Sequence, residues 1–187
     1  MSGDPPQPPH PLAGTTLDVV LAEEDAIRLL RHEVAVWFDL TGHVIGRKSG
    51  GPSSLDFSPD EVVSMRDAIF THNHPAGWTF APADPRHAGS SFSDDDIALS
   101  AAADLAEIRV IGPLARFAAR RPPDGWNVTA DRARQQYVRL VEVVARELLT
   151  AYVYGNLTVE QMEQTFYHEV VRRLADQIGF AYERWEG

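Results

Sequence analysis

The chain has no cysteine and a single lysine, Lys48, among its 187 residues. Without cysteine it can form neither disulfides nor thiolate metal sites, so any metal has to be bound by His, Asp, Glu or water. The formal net charge is −10 at pH 7, and an acidic chain repels phosphate backbones. We therefore expect no nucleic-acid partner.

Long apolar runs are also missing. No stretch reaches the length that spans a bilayer, and residues 1–6 have neither the basic region nor the apolar core of a secretory signal. These absences predict a cytoplasmic protein without membrane contact. Hydrophobic residues nevertheless make up 44% of the chain, which is enough for a substantial core.

Composition and spacing divide the chain into three predicted parts. Residues 1–14 are rich in proline and are expected to form a disordered tail. Residues 15–127 are expected to form an α/β domain with a mixed sheet. Residues 128–187 are predicted to form a C-terminal α-helical hairpin, because apolar residues such as Val138, Ala145 and Tyr152 recur at helical spacing.

Hydrophobic patterning places short strands and helices within the α/β part. Strands are predicted at 34–38, 43–47, 68–72, 108–111 and 114–119. Helices are predicted at about 17–30, 58–67 and 93–106. A loop rich in Gly, Pro and Ser, residues 76–92, separates the third strand from the third helix. The strand and the helix are therefore brought together only when the chain folds.

Two histidines, His72 and His74, stand at the end of a predicted strand. If the chain stays extended between them, both side chains project to one face, because alternate residues of a strand share a face. Two imidazoles at this spacing can bind one Zn²⁺, with a carboxylate as third ligand. Asp96, in the first turn of the following helix, is the best candidate, and three protein ligands leave a fourth position for an activated water.

Such a site needs a general base that takes the proton of the water. Glu33, at the start of the first strand, is the candidate, since it has the parity of Ala35 and Trp37. Ser93 can donate a hydrogen bond to the oxyanion that forms when a carbonyl is attacked. These residues predict a zinc-dependent hydrolase in which Glu33 and Ser93 are catalytic.

Each fragment of this pattern also has a plain structural interpretation. Ser93 and Asp96 alone can form a helix N-cap with a reciprocal carboxylate. Asp95 would replace Asp96 as ligand if the predicted helix register is off by one. His87, in the loop, is expected to be exposed rather than to bind metal.

Other candidates for acid, base or ligand are weaker. Glu24 and Glu61 are alternatives to Glu33, but both are predicted on helices, where a solvated face is the simpler interpretation. His168 begins a sequence like that of a zincin helix, but Arg172 stands where the second histidine must be. We therefore do not expect a zincin site.

Glu33, His72-Asn73-His74-Pro75 and Ser93-x-x-Asp96-Ile97 together resemble the JAMM motif of JAB/MPN-type metalloproteases. The histidine motif is most similar to that of the RadC-like and phage-associated bacterial branch. The predicted strand in Glu107 to Gly112 also resembles that branch. The resemblance covers about residues 30–120 and leaves out the C-terminal helices.

The resemblance implies a JAB/MPN-like α/β/α fold related to the deaminases, and a zinc metalloprotease or isopeptidase. It assigns zinc binding to His72, His74 and Asp96, the acid–base role to Glu33, and stabilisation of the intermediate to Ser93. It also implies a peptide or protein substrate, since family members often cut bonds next to ubiquitin-like partners.

One departure from the family pattern leaves other functions open. The 18 residues between His74 and Ser93 exceed the usual spacing, and this loop is expected to form a lid or substrate clamp, or to block entry. A second hypothesis is therefore a catalytically weak or inactive JAB-like interaction or assembly module, phage-related or part of a defence system, with a homodimer through the C-terminal helices as one arrangement. A third, a RadC-like DNA-associated factor, is disfavoured by the acidic charge.

Overall fold

The structure is a computed structural model that describes residue 12 and residues 14–186. The predicted proline-rich tail, residues 1–14, lies outside the described residues except for Leu12 and Gly14. Within the described part of the chain, no helix is long and apolar enough to cross a membrane.

Five α-helices and six β-strands form in the described residues. The helices are α1 (Gly14–Arg28), α2 (Pro59–Ser64), α3 (Asp94–Ala103), α4 (Ala130–Val153) and α5 (Val159–Ile178). The strands are β1 (Val34–Phe38), β2 (Val44–Ser49), β3 (Ile69–Asn73), β4 (Glu107–Ile111), β5 (Ala115–Arg120) and β6 (Ala181–Glu186). The five predicted strands are confirmed as β1 to β5, with ends that differ by at most two residues.

All six strands belong to one mixed sheet, in the order β2-β1-β3-β4-β5-β6. β3 and β4 are parallel, and the other neighbouring pairs are antiparallel. Parallel neighbours need a connection that returns along the sheet, and here that connection contains α3. The predicted α/β class with a mixed sheet is thereby confirmed.

Different helices cover the two faces of the sheet. Successive side chains of a strand point to opposite faces, and Val36 and Phe38 of β1 pack in a cluster with Ile27 of α1. Ala35 and Trp37 point the other way, into a larger core that includes residues of α3, α4 and α5. The candidate metal ligands lie on this second face.

The C-terminal segment differs from the predicted helical hairpin in two respects. After α5 the chain forms β6, which pairs with β5; its sequence does not alternate between apolar and polar residues, so it lacks the signal of a strand. The buried side of α4 includes Tyr137 and Val144, whereas Val138 and Tyr152 of the predicted stripe are 47% and 42% exposed. The division of the chain at residue 128 stays a prediction.

The loop between β3 and α3 contains two short 3₁₀ helices, Pro75–Thr79 and Pro85–Ala88, and is packed against the domain. Trp78 Nε1 donates a hydrogen bond to the backbone oxygen of Arg28, at 2.8 Å. His87 is 6% exposed and its ring stands edge-on to that of Trp78, so the expectation of an exposed His87 is wrong. His87 is buried because it packs against Trp78, which its hydrogen bond to Arg28 holds against α1.

Candidate metal centre

β3 brings His72 to the face of the sheet that is covered by α3. His72 pairs in register with Ala35 of β1, which belongs to the core on that face. The strand ends at Asn73, but the backbone of His74 stays extended, with φ −103° and ψ 94°. The two histidine side chains therefore project to the same face, as alternation along an extended chain requires.

Asp96 meets both histidines at the start of α3. His72 Nε2 lies 3.0 Å from Asp96 Oδ1, and His74 Nε2 lies 3.6 Å from Asp96 Oδ2. The two Nε2 atoms are 3.1 Å apart. Within the described residues, this is the one group of three such side chains whose ligand atoms lie close enough together to hold a metal ion.

These separations fit the ligand shell of a small divalent ion. Metal–ligand distances of about 2.0–2.1 Å in a tetrahedron place neighbouring ligand atoms about 3.3 Å apart. The separations of His72 Nε2 from His74 Nε2, 3.1 Å, and from Asp96 Oδ1, 3.0 Å, are close to this value. One ligand atom from each of the three residues lies within 4.8 Å of the other two. A set of three protein ligands also leaves one tetrahedral position open, which is typical of catalytic rather than structural zinc sites.

The two imidazole rings are oriented by different contacts. His74 Nδ1 lies 3.3 Å from both the backbone oxygen and the hydroxyl oxygen of Ser90. A proton on Nδ1 that is donated to the Ser90 carbonyl leaves a lone pair on Nε2 for a metal. His72 is 3% exposed and packs on the ring of Phe70, while its Nδ1 has no hydrogen-bond partner in the described part of the chain. Besides their contacts with Asp96, packing on Phe70 holds His72 and hydrogen bonding to Ser90 holds His74.

Ser93 and Asp96 form a capping box at the start of α3, as the plain structural interpretation of this pair predicts. Asp96 Oδ2 accepts hydrogen bonds from the backbone N–H of Ser93, at 2.7 Å, and from its hydroxyl, at 2.8 Å. Asp96 Oδ1 faces His72. The cap and the candidate ligand are therefore compatible, because the cap turns the carboxylate toward the histidines.

Electrostatic attraction within the group shifts the pKa values of its members. Burial acts to raise the pKa of Asp96, but the charges and hydrogen bonds of His72 and His74 hold it well below its usual range. Burial acts to lower the pKa of His74, but the hydrogen bond and charge of Asp96 outweigh it, so this pKa is raised. Asp96 is consequently ionised at neutral pH and available to a cation.

Glu33 lines the same cavity as the three candidate ligands. This cavity has a volume of about 560 Å³, and Glu33 is held at its edge by backbone hydrogen bonds to Gly50 and Gly51. Burial raises the pKa of the Glu33 carboxyl, and the charges of His72 and His74 partly offset this effect. The structure thus brings Glu33 together with the predicted ligands.

The rest of the cavity lining comes from residues 53–57, α2, β3, α3 and the start of α4. The loop 75–92 contributes none of these lining residues, so in this structure it is neither a lid nor a barrier over the cavity. Its contact with the candidate ligands is instead the hydrogen bonding of Ser90 to His74. The packing of the loop against α1 keeps it away from the entrance.

Asn73, between the two histidines, has a function that the motif did not reveal. It is 1% exposed, and its Oδ1 accepts a hydrogen bond from the backbone N–H of Val34 at 2.7 Å. Its Nδ2 donates to the backbone oxygens of His32 and Leu30, at 3.0 and 3.3 Å. One amide therefore ties down the backbone on both sides of Glu33. The sequence carries no distinctive signal for this, because Thr71 and His72 before it in β3 are polar as well.

Two acidic residues that were considered as alternatives lie in other interactions. Asp95 is exposed and accepts a hydrogen bond from Arg134 Nη2, at 2.6 Å. Glu24 is fully buried and accepts hydrogen bonds from Arg109 Nε, at 2.6 Å, and Arg116 Nε, at 3.0 Å. The expectation of a solvated Glu24 is wrong, because β4 and β5 present these two arginines to α1.

Glu61, the other alternative to Glu33, is engaged in the cap of α2. Its carboxylate accepts hydrogen bonds from Lys48 Nζ and from the backbone N–H of Ser58, both at 2.7 Å. These bonds, that of Lys48 foremost, lower the pKa of Glu61 to about 2. A carboxylate with so low a pKa is a poor base near neutral pH, so Glu33 is the better candidate.

Comparison of the chain with protein families, with curated protein sequences and with solved structures found no match. The resemblance to the JAMM motif therefore depends on the motif residues and their arrangement, and membership of the JAB/MPN family stays a proposal.

Proposed function

We propose that this protein is a zinc-dependent hydrolase of peptide or isopeptide bonds, a metalloprotease of the JAMM type with a JAB/MPN-like fold. The observation that carries the proposal is the convergence of His72, His74 and Asp96, whose ligand atoms lie within 4.8 Å of one another, with Glu33 in the same cavity. The mixed sheet with helices on both faces is compatible with that fold.

Zinc is the metal that this donor set favours. Two imidazoles and one carboxylate, without a thiolate, are common ligands of catalytic zinc. His72 and His74 would hold the ion through Nε2, and Asp96 through a carboxylate oxygen. Bound there, zinc would supply Lewis-acid activation of a water molecule and of the substrate carbonyl.

Glu33 is the proposed carrier of the proton. Burial raises its pKa, which brings the carboxyl closer to the range where it can both accept and return a proton near neutral pH. It would accept a proton from the attacking water and deliver it to the nitrogen of the cleaved bond. The amine needs this proton because an amide anion is a very poor leaving group.

Ser93 is the proposed donor to the oxygen of the attacked carbonyl. Its side chain lines the cavity, and its hydroxyl donates to Asp96 Oδ2. Donation to a substrate oxygen requires the hydroxyl proton to rotate away from Asp96. The backbone N–H of Ser93 keeps its hydrogen bond to Asp96 Oδ2 in that state, so the carboxylate remains oriented.

The proposed substrate is a peptide or protein segment, with a ubiquitin-like protein as one candidate from the motif resemblance. Leu55, Phe57 and Val62 form an apolar wall in the cavity, which suits an aliphatic or aromatic side chain beside the cleaved bond. An inactive interaction module would need neither this open cavity nor Glu33 beside the ligands. A homodimer through the C-terminal helices stays a prediction.

The test combines metal binding with cleavage. Zinc content is measured by mass spectrometry after zinc loading and dialysis, and cleavage is followed on a library of peptides and isopeptide-linked peptides. We expect His74→Ala to lose stoichiometric zinc and cleavage. We expect Glu33→Gln to keep zinc and to lose at least about a hundredfold in rate. His43→Ala, a substitution of an exposed histidine before β2, is the matched control.

Each part of the proposal has its own contradicting result. Parent protein without stoichiometric zinc, or with the same zinc content as His74→Ala, excludes the metal site. Parent-like cleavage by Glu33→Gln excludes Glu33 as the base. Stoichiometric zinc without cleavage of any substrate favours the interaction module.

A further inference from the structure

A second cavity, of about 540 Å³, lies between the loop 75–92 and the C-terminal helices. Its walls are largely apolar and include Phe117 of β5, Leu149 of α4 and Phe166 of α5. It shares no lining residue with the cavity at the candidate metal centre. A concave space of this size, with apolar walls and few polar groups, is the usual form of a small-molecule site.

A chain of hydrogen bonds lies at this cavity. Ser91 Oγ is 2.8 Å from the Tyr182 hydroxyl, which is 3.0 Å from His168 Nδ1. Ser91 and His168 both line the cavity. In the described part of the chain His168 makes its hydrogen bond through Nδ1, and its Nε2 has no protein partner.

One arrangement of protons in this chain leaves a donor for a ligand. Burial lowers the pKa of His168 and raises that of Tyr182 to about 12, so both side chains are neutral at pH 7. If Tyr182 donates its proton to His168 Nδ1, the neutral imidazole carries its own proton on Nε2. Ser91 then donates to the Tyr182 oxygen, and the N–H at His168 Nε2 is left for a ligand.

Arg184 of β6 adds a positive charge to the same cavity. It is half-buried, and its guanidinium lies 5.9 Å from the ring centre of Phe117. No Asp or Glu among the described residues lies within ion-pair distance of it. Arg86, which also lines the cavity, is by contrast bound to both carboxylate oxygens of Asp84, at 3.0 and 2.7 Å. It also neutralises Glu163, a carboxylate in the cavity lining, at 3.4 Å. Arg184 is therefore available to an anion.

We propose that this cavity binds a small amphipathic carboxylate, a molecule with an apolar chain or ring and one carboxylate group. The apolar part packs between Phe117, Leu149 and Phe166. The carboxylate accepts hydrogen bonds from Arg184 and from His168 Nε2, and a guanidinium is well suited to this group. A cationic molecule of the same shape is repelled by Arg184, and a neutral one leaves the guanidinium without an acceptor.

Three eight-carbon probes with different head groups test the proposal. Octanoate, octan-1-ol and octylammonium are titrated into the full chain by calorimetry and by amide NMR shifts. We expect octanoate to bind saturably and at least about tenfold tighter than octan-1-ol, and octylammonium not to saturate. Arg184→Met is expected to reduce the octanoate affinity to that of octan-1-ol. Arg139→Met, a change of an exposed arginine on α4, is the matched control and is expected to change neither.

A second variant fills the cavity. Ala145 lines it from an exposed position on α4, so Ala145→Phe is expected to abolish binding of octanoate and octan-1-ol while the circular dichroism spectrum is unchanged. Equal affinity for octanoate and octan-1-ol, octanoate binding that survives Ala145→Phe, or no saturable octanoate binding overturns the proposal. Octanoate is expected to bind His74→Ala as it binds the parent, so failure of the zinc proposal is distinguishable from failure of this one.

Discussion

The buried amide of Asn73 holds the backbone on both sides of Glu33 through three hydrogen bonds. Asn73→Ala leaves these backbone groups without their partner, and unsatisfied buried groups cost about 1–3 kcal/mol. We expect the free energy of unfolding to fall by about 2 kcal/mol, measured by urea denaturation. Asn156→Ala, at an exposed residue between α4 and α5, is the control. An unchanged urea midpoint for Asn73→Ala would show that the amide does not hold this backbone.

The lowered pKa of the Glu61 carboxyl makes the stability of the fold depend on pH. Its pKa falls from 4.5 to about 2 on folding, chiefly through the hydrogen bond from Lys48. The folded state thus favours the ionised form, so this contribution is present above about pH 4.5 and is lost as the pH falls toward about 2. Glu61→Gln keeps a capping side chain and removes the titration. We expect a smaller change of stability with pH across this window, measured by urea denaturation; an identical pH profile would contradict the assignment.

Residues whose interaction partners are close in sequence were recognisable from the sequence, and residues whose partners are far away in the chain were not. The caps at Ser58 and Ser93 involve groups three residues apart, so their patterns are visible in the chain. Glu24 could not be placed in this way, because its burial depends on arginines 85 and 92 residues away. Asn73 was missed for the same reason, since its partners lie about 40 residues upstream.

At the scale of elements, the loop between β3 and α3 orients the candidate ligand His74 through its hydrogen bonding with Ser90, without lining the cavity. The loop passes so close to Gly112, just after β4, that a Cβ there would lie 2.5 Å from the Ala88 backbone oxygen. Gly112→Ala must therefore displace the loop and, with it, Ser90 from His74. We expect zinc affinity to fall by about tenfold, as for loss of other groups that orient ligands, measured by competition with a chelator.

Gly14→Ala is the control for this change, because a Cβ at Gly14 meets no atom within 4 Å. It is expected to leave zinc affinity unchanged. Parent-like affinity in Gly112→Ala would show that the Ser90 contact does not matter to the metal.

Elements with strong periodicity were predicted, and elements without it were missed. β1 is fully buried and apolar, and β3 is fully buried and begins with Ile69 and Phe70, so their positions were clear. β6 has mixed side chains and becomes a strand because β5 offers an unpaired edge. The buried side of α4 was predicted wrongly because more than one face of this helix carries apolar residues. Contact with α3 and α5 decides which of these faces is buried.

At the scale of the whole molecule, the C-terminal segment shares the core of the α/β part. Val170, Leu174 and Phe180 belong to the same buried cluster as Ile97 and Phe117. A chain that ends at residue 127 would expose this apolar surface and the edge of β5. We therefore expect it to lack the cooperative urea transition of the full chain, followed by tryptophan fluorescence.

A cooperative transition with the parent midpoint in this shortened chain would contradict the prediction. It would also support the division of the chain at residue 128 into two independent units. Loss of the transition would instead indicate that the C-terminal helices and β6 complete a single folding unit.

The order of motif residues, the caps and the buried strands were determined by the sequence itself, because each depends on neighbours within a few positions. The tertiary structure decided what these residues form together. It brought Asp96 and Glu33 to His72 and His74, and placed Glu24 on the opposite face of the sheet. It also packed the long loop away from the cavity at the candidate metal centre and beside a second cavity. These outcomes depend on strand register and helix packing, which join residues that are far apart in the chain.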